Sequence, residues 1–213
     1  MGSSQFRRAS YEIVSPRLII RTATDSDTES FLAIMTAPEN FPFEKPEQGL
    51  TLDKLRTRID KFAKMSAEGQ NAFMVVELRD TRKLVGYGGY NTFGSIDPAE
   101  FLSETTLPAG KTYLTDIGII VDHKHWRKGY GLESVSALIE YARNELGCEV
   151  FRAETGDDNE PWRALMRAAG LAKFEGRHKA SYDPSQEVWV WKFDAGHWRR
   201  EQERMRKEGK WPL

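Results

Sequence analysis

From residue 16 to residue 194 the chain alternates between short apolar runs and apolar stripes that recur every three or four positions. Each change of period marks a change of element. Pro16–Arg21 reads as a first strand. Thr24 or Asp25 stands where an N-cap belongs, with Asp27 and Glu29 in the first turn, and Phe31, Leu32 and Met35 form a helical stripe that runs up to Pro38. Residues 39–49 hold two prolines and a glycine and read as a loop. Leu52, Leu55, Ile59, Phe62 and Met65 line one face of a second helix. Phe73–Leu78 and Lys83–Tyr90 form a hairpin across the turn at 79–82. Residues 94–113 are expected to be a long irregular stretch, of the kind that is functional or mobile.

The second half repeats a strand–helix pattern. Asp116–Val121 is a strand, and after a basic loop Leu132, Val135, Leu138, Ile139, Ala142 and Leu146 line a helix, with Gly147 placed as its C-cap. Glu149–Glu154 is a strand, and residues 160–169 form a helix that stops at Gly170. Two last strands fall near 172–180 and 187–194, with a turn at Asp183-Pro184. This order describes a mixed α/β domain, with parallel pairing expected around residues 115–155. Residues 1–14 are expected to be a disordered leader and 15–194 a single domain. Residues 195–213 are expected to form a charged C-terminal helical tail, polar and on the surface; six basic and three acidic side chains fall within 196–213.

Composition removes several classes. The 213 residues carry 31 Lys and Arg against 32 Asp and Glu, which excludes a nucleic-acid binder that works by bulk charge. No apolar run approaches the roughly 18 residues of a spanning helix, and no signal-peptide core is present, so no membrane association and cytoplasmic residence are expected. Gly2 does not make a myristoylation signal, because Phe6 stands where that signal needs Ser or Thr. The single cysteine, Cys148, excludes a disulfide framework and a CxxC metal site, and reads as a buried structural thiol.

The candidate chemistry lies in Thr115–Leu132. A strand runs into a loop bearing Gly129 and Gly131, and a helix begins at once. Glycines let backbone approach a ligand closely. A helix N-terminus offers unpaired N–H groups and the positive end of a dipole, which suits a phosphate. Lys124, Arg127 and Lys128 add positive charge. Other motifs fail. Gly110-Lys111-Thr112 resembles the end of a P-loop, but Thr105 occupies the place of its first glycine. His123 and His125 lack a third ligand cluster, so no metal is expected. No G-x-S-x-G elbow is present.

These residues carry a family resemblance. WRKGYG at 126–131 resembles the acetyl-CoA pyrophosphate loop of the GNAT acetyltransferases. The aromatic Trp126 at its first position resembles the branch of the ribosomal-protein N-terminal (RimJ/RimL-like) acetyltransferases. SPRLIIRTATDSD at 15–27 is similar to that branch's opening strand and cap, DIGIIVD at 116–122 to the strand before the loop, and DNEPWRALMRAAGLAKFEG at 158–176 to the helix and strand that follow. The resemblance spans residues 15–194. It implies a mixed, splayed central sheet with helices on both faces and acetyl-CoA as acyl donor. It also implies roles. The backbone of Ile119, Ile120 and Val121 would pair with the pantetheine arm. The loop from Trp126 through Arg127, Lys128, Gly129, Tyr130, Gly131 and Leu132 would hold the pyrophosphate. Asn159 and its helix, with Trp162, would lie against the arm's other side, and the sheet would open between strands 116–122 and 149–155.

The implied reaction is direct attack of a primary amine, a protein N-terminal α-amine or a small-molecule amine, on the thioester. Asp116 is the candidate base. The acid is open: Met166 stands where many members have Tyr, and Trp162 where the branch has Ser, which leaves Tyr182, Tyr130, Tyr90 or a water. An α-amine, with pKa about 7.7–8.0 against about 10.4 for lysine, needs less help from a base and is the favoured acceptor. Loops 39–49 and 94–113 and the 177–187 hairpin are expected to meet the acceptor. Glu44, Glu47, Asp97, Glu100 and Glu104 would suit a cationic one. A catalytically idle acyl-CoA-binding protein and a ribosome- or partner-docking module are the alternatives. The expected assembly is a monomer or homodimer.

Overall fold

The computed structural model describes residues 4–43 and 46–213. In it the apolar runs become strands: β1 (Glu12–Val14), β2 (Leu18–Thr22), β3 (Ala72–Leu78), β4 (Leu84–Ile96), β5 (Thr112–Val121), β6 (Cys148–Thr155), β7 (Glu175–Lys179) and β8 (Glu187–Asp194). They form one sheet in the order β1-β2-β3-β4-β5-β6-β8-β7. The helices are α1 (Thr28–Thr36), α2 (Leu52–Ala67), α3 (Pro98–Phe101), α4 (Tyr130–Glu145), α5 (Glu160–Ala168) and α6 (Ala195–Lys207). Thr24 caps the turn before α1 in a reciprocal capping box with Asp27.

Both faces of the sheet are covered. On one face α1 and α2 bury Phe31, Ile34, Met35, Leu55 and Ile59 against Val75, Leu84 and Tyr87. On the other, Val135, Leu138, Ile139 and Ala142 of α4 pack with Ile20, Val76, Ile117 and Phe151. Antiparallel pairing prevails, and β5 with β6 is the parallel pair, joined through α4 as a crossover requires. Close contact between β4 and β5 depends on glycine. A Cβ on Gly88, whose φ is +149°, would stand 2.2 Å from the Gly118 carbonyl oxygen, and one on Gly86 would stand 2.4 Å from that of Ile120.

The β5–β6 pairing is short. It runs from Tyr113 opposite Cys148 to Asp116 opposite Arg152 and stops there. Beyond that point β5 continues against β4 through Val121, while β6 continues against β8 through Thr155. The sheet therefore splays between two strands that each keep their outer partner. The crossover returns to it both helix N-termini, of α4 and of α5.

Three sequence expectations change. Residues 1–14 are not a disordered leader where the structure describes them. Phe6 is buried and stacks on Phe93, with ring centroids 4.4 Å apart, and Tyr11 is buried with its hydroxyl donating to the Phe6 carbonyl at 2.9 Å. Its polar composition hid two aromatic anchors. The 195–213 tail is not a polar surface element either. α6 buries Ala195, Trp198 and Met205, and the Trp198 indole donates to Glu140 of α4 at 2.7 Å. Residues 94–113 are less irregular than expected: β4 runs to Ile96, α3 spans Pro98–Phe101 behind its Asp97 cap, and β5 starts at Thr112. Phe6→Ala is expected to cost about 3 to 5 kcal/mol in urea unfolding, the scale of a buried phenylalanine lost from a core. A cost below about 0.5 kcal/mol would show that this segment does not belong to the core.

Candidate active site at the splay

The loop between β5 and α4 is held open from three sides. Asp122 caps a short turn at His123–His125. The buried Asn40 side chain accepts from the His123 backbone N–H at 2.7 Å and donates to the Ile34 carbonyl at 2.9 Å, which ties the loop to the end of α1. Arg127 and Gly129 take left-handed backbone, with φ of +61° and +82°. Gly129 caps α4, whose first closing bond is the Glu133 N–H to the Gly129 carbonyl at 3.1 Å. The N–H groups of Tyr130, Gly131 and Leu132 therefore have no intrahelical acceptor. Leu165 of α5 lies against Gly131, where a Cβ would stand 3.3 Å from its methyl carbon. This close approach sets the middle of α5 beside the N-terminus of α4.

A brace that sequence reasoning missed fixes the loop from below. Glu133, wholly buried in the first turn of α4, accepts from the Ser15 hydroxyl at 2.7 Å, the Arg17 backbone N–H at 2.7 Å and the Arg17 Nε at 2.6 Å. The same guanidinium donates to the Lys128 carbonyl at 2.9 Å and sits over the Tyr130 ring at 4.8 Å. The signal was present in two places, the arginine of the Pro16-Arg17-Leu18 segment and an acid in the first turn of α4. Nothing in their spacing joined residues 116 positions apart.

The structure places the implied residues unevenly. The Asp122 N–H donates to the Val85 carbonyl at 2.8 Å, so alternation turns the backbone polar groups of Ile120 toward β4 and those of Ile119 and Val121 toward the splay. Ile120 is thus corrected: its backbone is engaged in the sheet, and its side chain packs on the α1–α2 side. The Trp126 indole donates to the Val121 carbonyl at 2.6 Å, which leaves Ile119 as the residue facing the splay with no paired strand. Arg127 and Lys128 are exposed beside the loop. Asn159 caps α5, accepting from the Trp162 N–H at 3.1 Å and donating to Thr155 at 2.8 Å, so it locks the helix to the end of β6. Trp162 is buried, and its indole Nε1 has no acceptor among the described residues. An orphaned donor one turn from the Gly131–Leu165 contact, beside a row of open N–H groups, fits a ligand that carries carbonyl and phosphate oxygens.

The opposite face of the splay carries charge. Asp116 is buried, and its two oxygens accept from Arg152 Nε and Nη2 at 2.6 and 2.5 Å. Burial pushes its carboxyl above the ordinary carboxylate range, and the Arg152 guanidinium works against that push. Arg152 also meets Glu154 at 3.3 Å, and Glu154 in turn accepts from the Ser181 hydroxyl at 2.9 Å. Of the tyrosines considered as acids, Tyr90 is buried, donates to the Leu138 carbonyl at 2.7 Å and has its hydroxyl pushed up by burial; Tyr130 lies under Arg17; Tyr182 is exposed. Met166 is buried and offers no proton. Cys148 is buried, and burial pushes its thiol up to about 12.

The fold and the site describe an acyl-transfer architecture: a splayed mixed sheet with an open helix N-terminus at the opening. Residues 17–172 match the family model described as acetyltransferase (GNAT) domain, and the chain belongs to that family. It is 27% identical over 157 residues to the uncharacterised N-acetyltransferase YoaA of Bacillus subtilis, an alignment that covers 74% of this chain and 80% of that one. Among solved structures it resembles Mycobacterium smegmatis RimJ in complex with CoA-disulfide, at 14% identity and TM-score 0.65, covering 94% of each chain. It also resembles a RimL ribosomal L7/L12 α-N-protein acetyltransferase in complex with coenzyme A, at 17% identity and TM-score 0.63, covering 85% of this chain and 97% of that one. At these identities the structural likenesses establish the fold.

Glu133→Gln and Arg17→Gln are each expected to weaken binding of coenzyme A, used as the probe, by about tenfold in calorimetry, or roughly 1.4 kcal/mol. The double variant is expected to lose little more, because the two side chains act as one brace. Additive losses, or unchanged affinity, would contradict that role.

Proposed function

We infer that the protein transfers an acetyl group from acetyl-CoA to a primary amine, by direct attack within a ternary complex at the splay. The observation that carries this reading is the conjunction of an unpaired stretch of β5 with the open N–H groups that begin α4. The Ile119 edge is suited to take the pantetheine arm as an added strand. The N–H groups from Arg127 to Leu132 are suited to the pyrophosphate, with Arg127 and Lys128 beside them. The thioester supplies an activated acyl group. The chain supplies position and a field: the N-termini of α4 and α5 both flank the opening and favour negative charge as it develops there.

Acid–base demands are modest in this scheme. The two oxygens of Asp116 are held by Arg152, so its role is to position Arg152 at the last paired rung, and a water relays the amine proton to solvent. Such a site works best on an amine that is already neutral in part, which favours an α-amine over a lysine side chain. The RimL neighbour, an α-N-protein acetyltransferase, supports the same preference. The absence of a proton donor at Trp162 and Met166 favours one second reading, an acyl-CoA-binding protein without turnover. Acetyl-CoA consumption across a panel of amines separates the two. Partner docking through the tail loses support from the burial of Trp198 and Met205.

Titration with acetyl-CoA tests the reading. The intact protein is expected to bind, and a Gly129→Val, Gly131→Val variant to bind at least about a hundredfold more weakly. The first change strains a left-handed cap by about 1 to 2 kcal/mol and the second presses on Leu165. No binding by the intact protein would overturn the reading. Asp116→Asn is expected to lower kcat less than about tenfold, against the 10²–10⁴-fold loss of a general base. A loss in that larger range, with a shifted acid limb of the pH profile, would restore Asp116 as the base.

A further inference from the structure

On the face of the sheet that carries Asp116, Arg152, Glu154 and Lys192, two carboxylates stand against two cations. Of the loop carboxylates read as suited to a cationic acceptor, Glu100 is exposed beside Phe101, and three others have partners. Both oxygens of Glu47 accept from Arg58 at 2.6 Å. Asp97 caps α3 through the Ala99 N–H at 3.0 Å, and Glu104 lies 4.0 Å from His197 Nε2. Glu44 lies outside the described residues. At the splay itself, Asp116 and Glu154 both face Arg152, and Ser181 takes a further share of Glu154.

One cation there has no such partner. Lys192 stands directly across the β6–β8 ladder from Arg152, which stands directly across from Asp116. It is thus two strand spacings, about 10 Å, from the last paired rung of β5. Its neighbours Trp191 and Phe193 point into the α4-side core, so Lys192 emerges on the acceptor side, as Asp116, Arg152 and Glu154 do. Its Nζ sits 4.5 Å from the centre of the Phe101 ring, which Arg152 also approaches at 5.9 Å. Among the described residues no carboxylate comes within 4 Å of it. Burial and then the Arg152 charge hold its ammonium below the ordinary lysine range, with Glu154 acting the other way. His178, on the next strand, is held below the ordinary histidine range by burial and then by Lys192, with Glu154 acting the other way, which disfavours a second positive charge there. A half-buried ammonium packed on an aromatic ring, beside a guanidinium already neutralised, is a place where an incoming anion gains and an incoming cation loses.

Taking acetyl transfer at the splay from the reading above, we propose that Lys192 selects amine acceptors that carry a side-chain carboxylate close to the reacting amine. The acceptor class is an acidic amino acid, or a peptide whose first residues are acidic. The amine points to the splay and the carboxylate meets Lys192 over Phe101. The carboxylate is recognised and not consumed: the bond formed is from the amine nitrogen to the acetyl carbon, the bond broken is the thioester C–S bond, whose electron pair leaves with the coenzyme A thiolate, and the proton lost by the amine to solvent is matched by one the thiolate takes from solvent.

The test is kcat/KM for matched acceptors that differ in one charge: aspartate against asparagine and glutamate against glutamine, and a peptide amide beginning Ser-Asp against one beginning Ser-Asn. The wild-type enzyme is expected to prefer the acid of a pair by about tenfold or more, and the free amino acids and the peptides show which source fits. In Lys192→Gln the preference is expected to collapse toward unity, in Lys192→Glu to invert, and in Lys192→Arg to survive in large part. The acetyl-CoA dissociation constant, read by calorimetry on each variant, shows whether the donor side is intact. Equal or better use of the amides by the wild type overturns the proposal, as does a preference that survives Lys192→Gln. Acetyl-CoA binding with turnover of none of these acids also overturns it and leaves acetyl transfer standing. No binding of acetyl-CoA overturns both.

Discussion

The parallel ladder between β5 and β6 ends at Asp116 and Arg152, and the rest of the site depends on where it ends. Up to that rung two strands share hydrogen bonds. One residue later each strand keeps only its outer neighbour, β4 on one side and β8 on the other. An unpaired backbone edge inside a sheet is costly unless water or a ligand meets it. Here the bidentate Arg152–Asp116 contact, with Glu154 as second partner, bridges the two strands at the last rung.

The two sides of the opening have different physics. On the α4 and α5 side there are backbone donors, two helix N-termini and a buried indole without an acceptor, a set that recognises oxygen-rich ligands without regard to side chain. The geometry of that set depends on Glu133 and Arg17, which hold the loop from β2 and the head of α4. On the other side there are charged side chains on β5, β6 and β8 with Phe101 over Arg152 and Lys192.

Much of the fold was legible because it is written in periodicity. The stripe from Leu132 to Leu146 and the run from Asp116 to Val121 each match an observed element to within a few residues, and Gly129 and Gly131 sit where the loop needs them. What escaped was nonlocal. Residues 5–14 and α6 read as polar because their anchors, Phe6, Tyr11 and Trp198, are single aromatics in charged surroundings, and only tertiary contact shows that each is buried. The Arg17–Glu133 brace joins a strand edge to a distant helix. Ile120 differs from Ile119 in which way its peptide groups and its side chain face, a property of strand register that no residue type records.

Amide hydrogen exchange with and without coenzyme A tests this account most directly. It assigns new protection on binding to the amides of Ile119 and of Arg127 through Leu132. The Ile120 amide, already turned toward β4, stays equally protected in both states. Protection that appears at Ile120, or is missing from the loop while the ligand is bound, would contradict the account and place the ligand elsewhere on the fold.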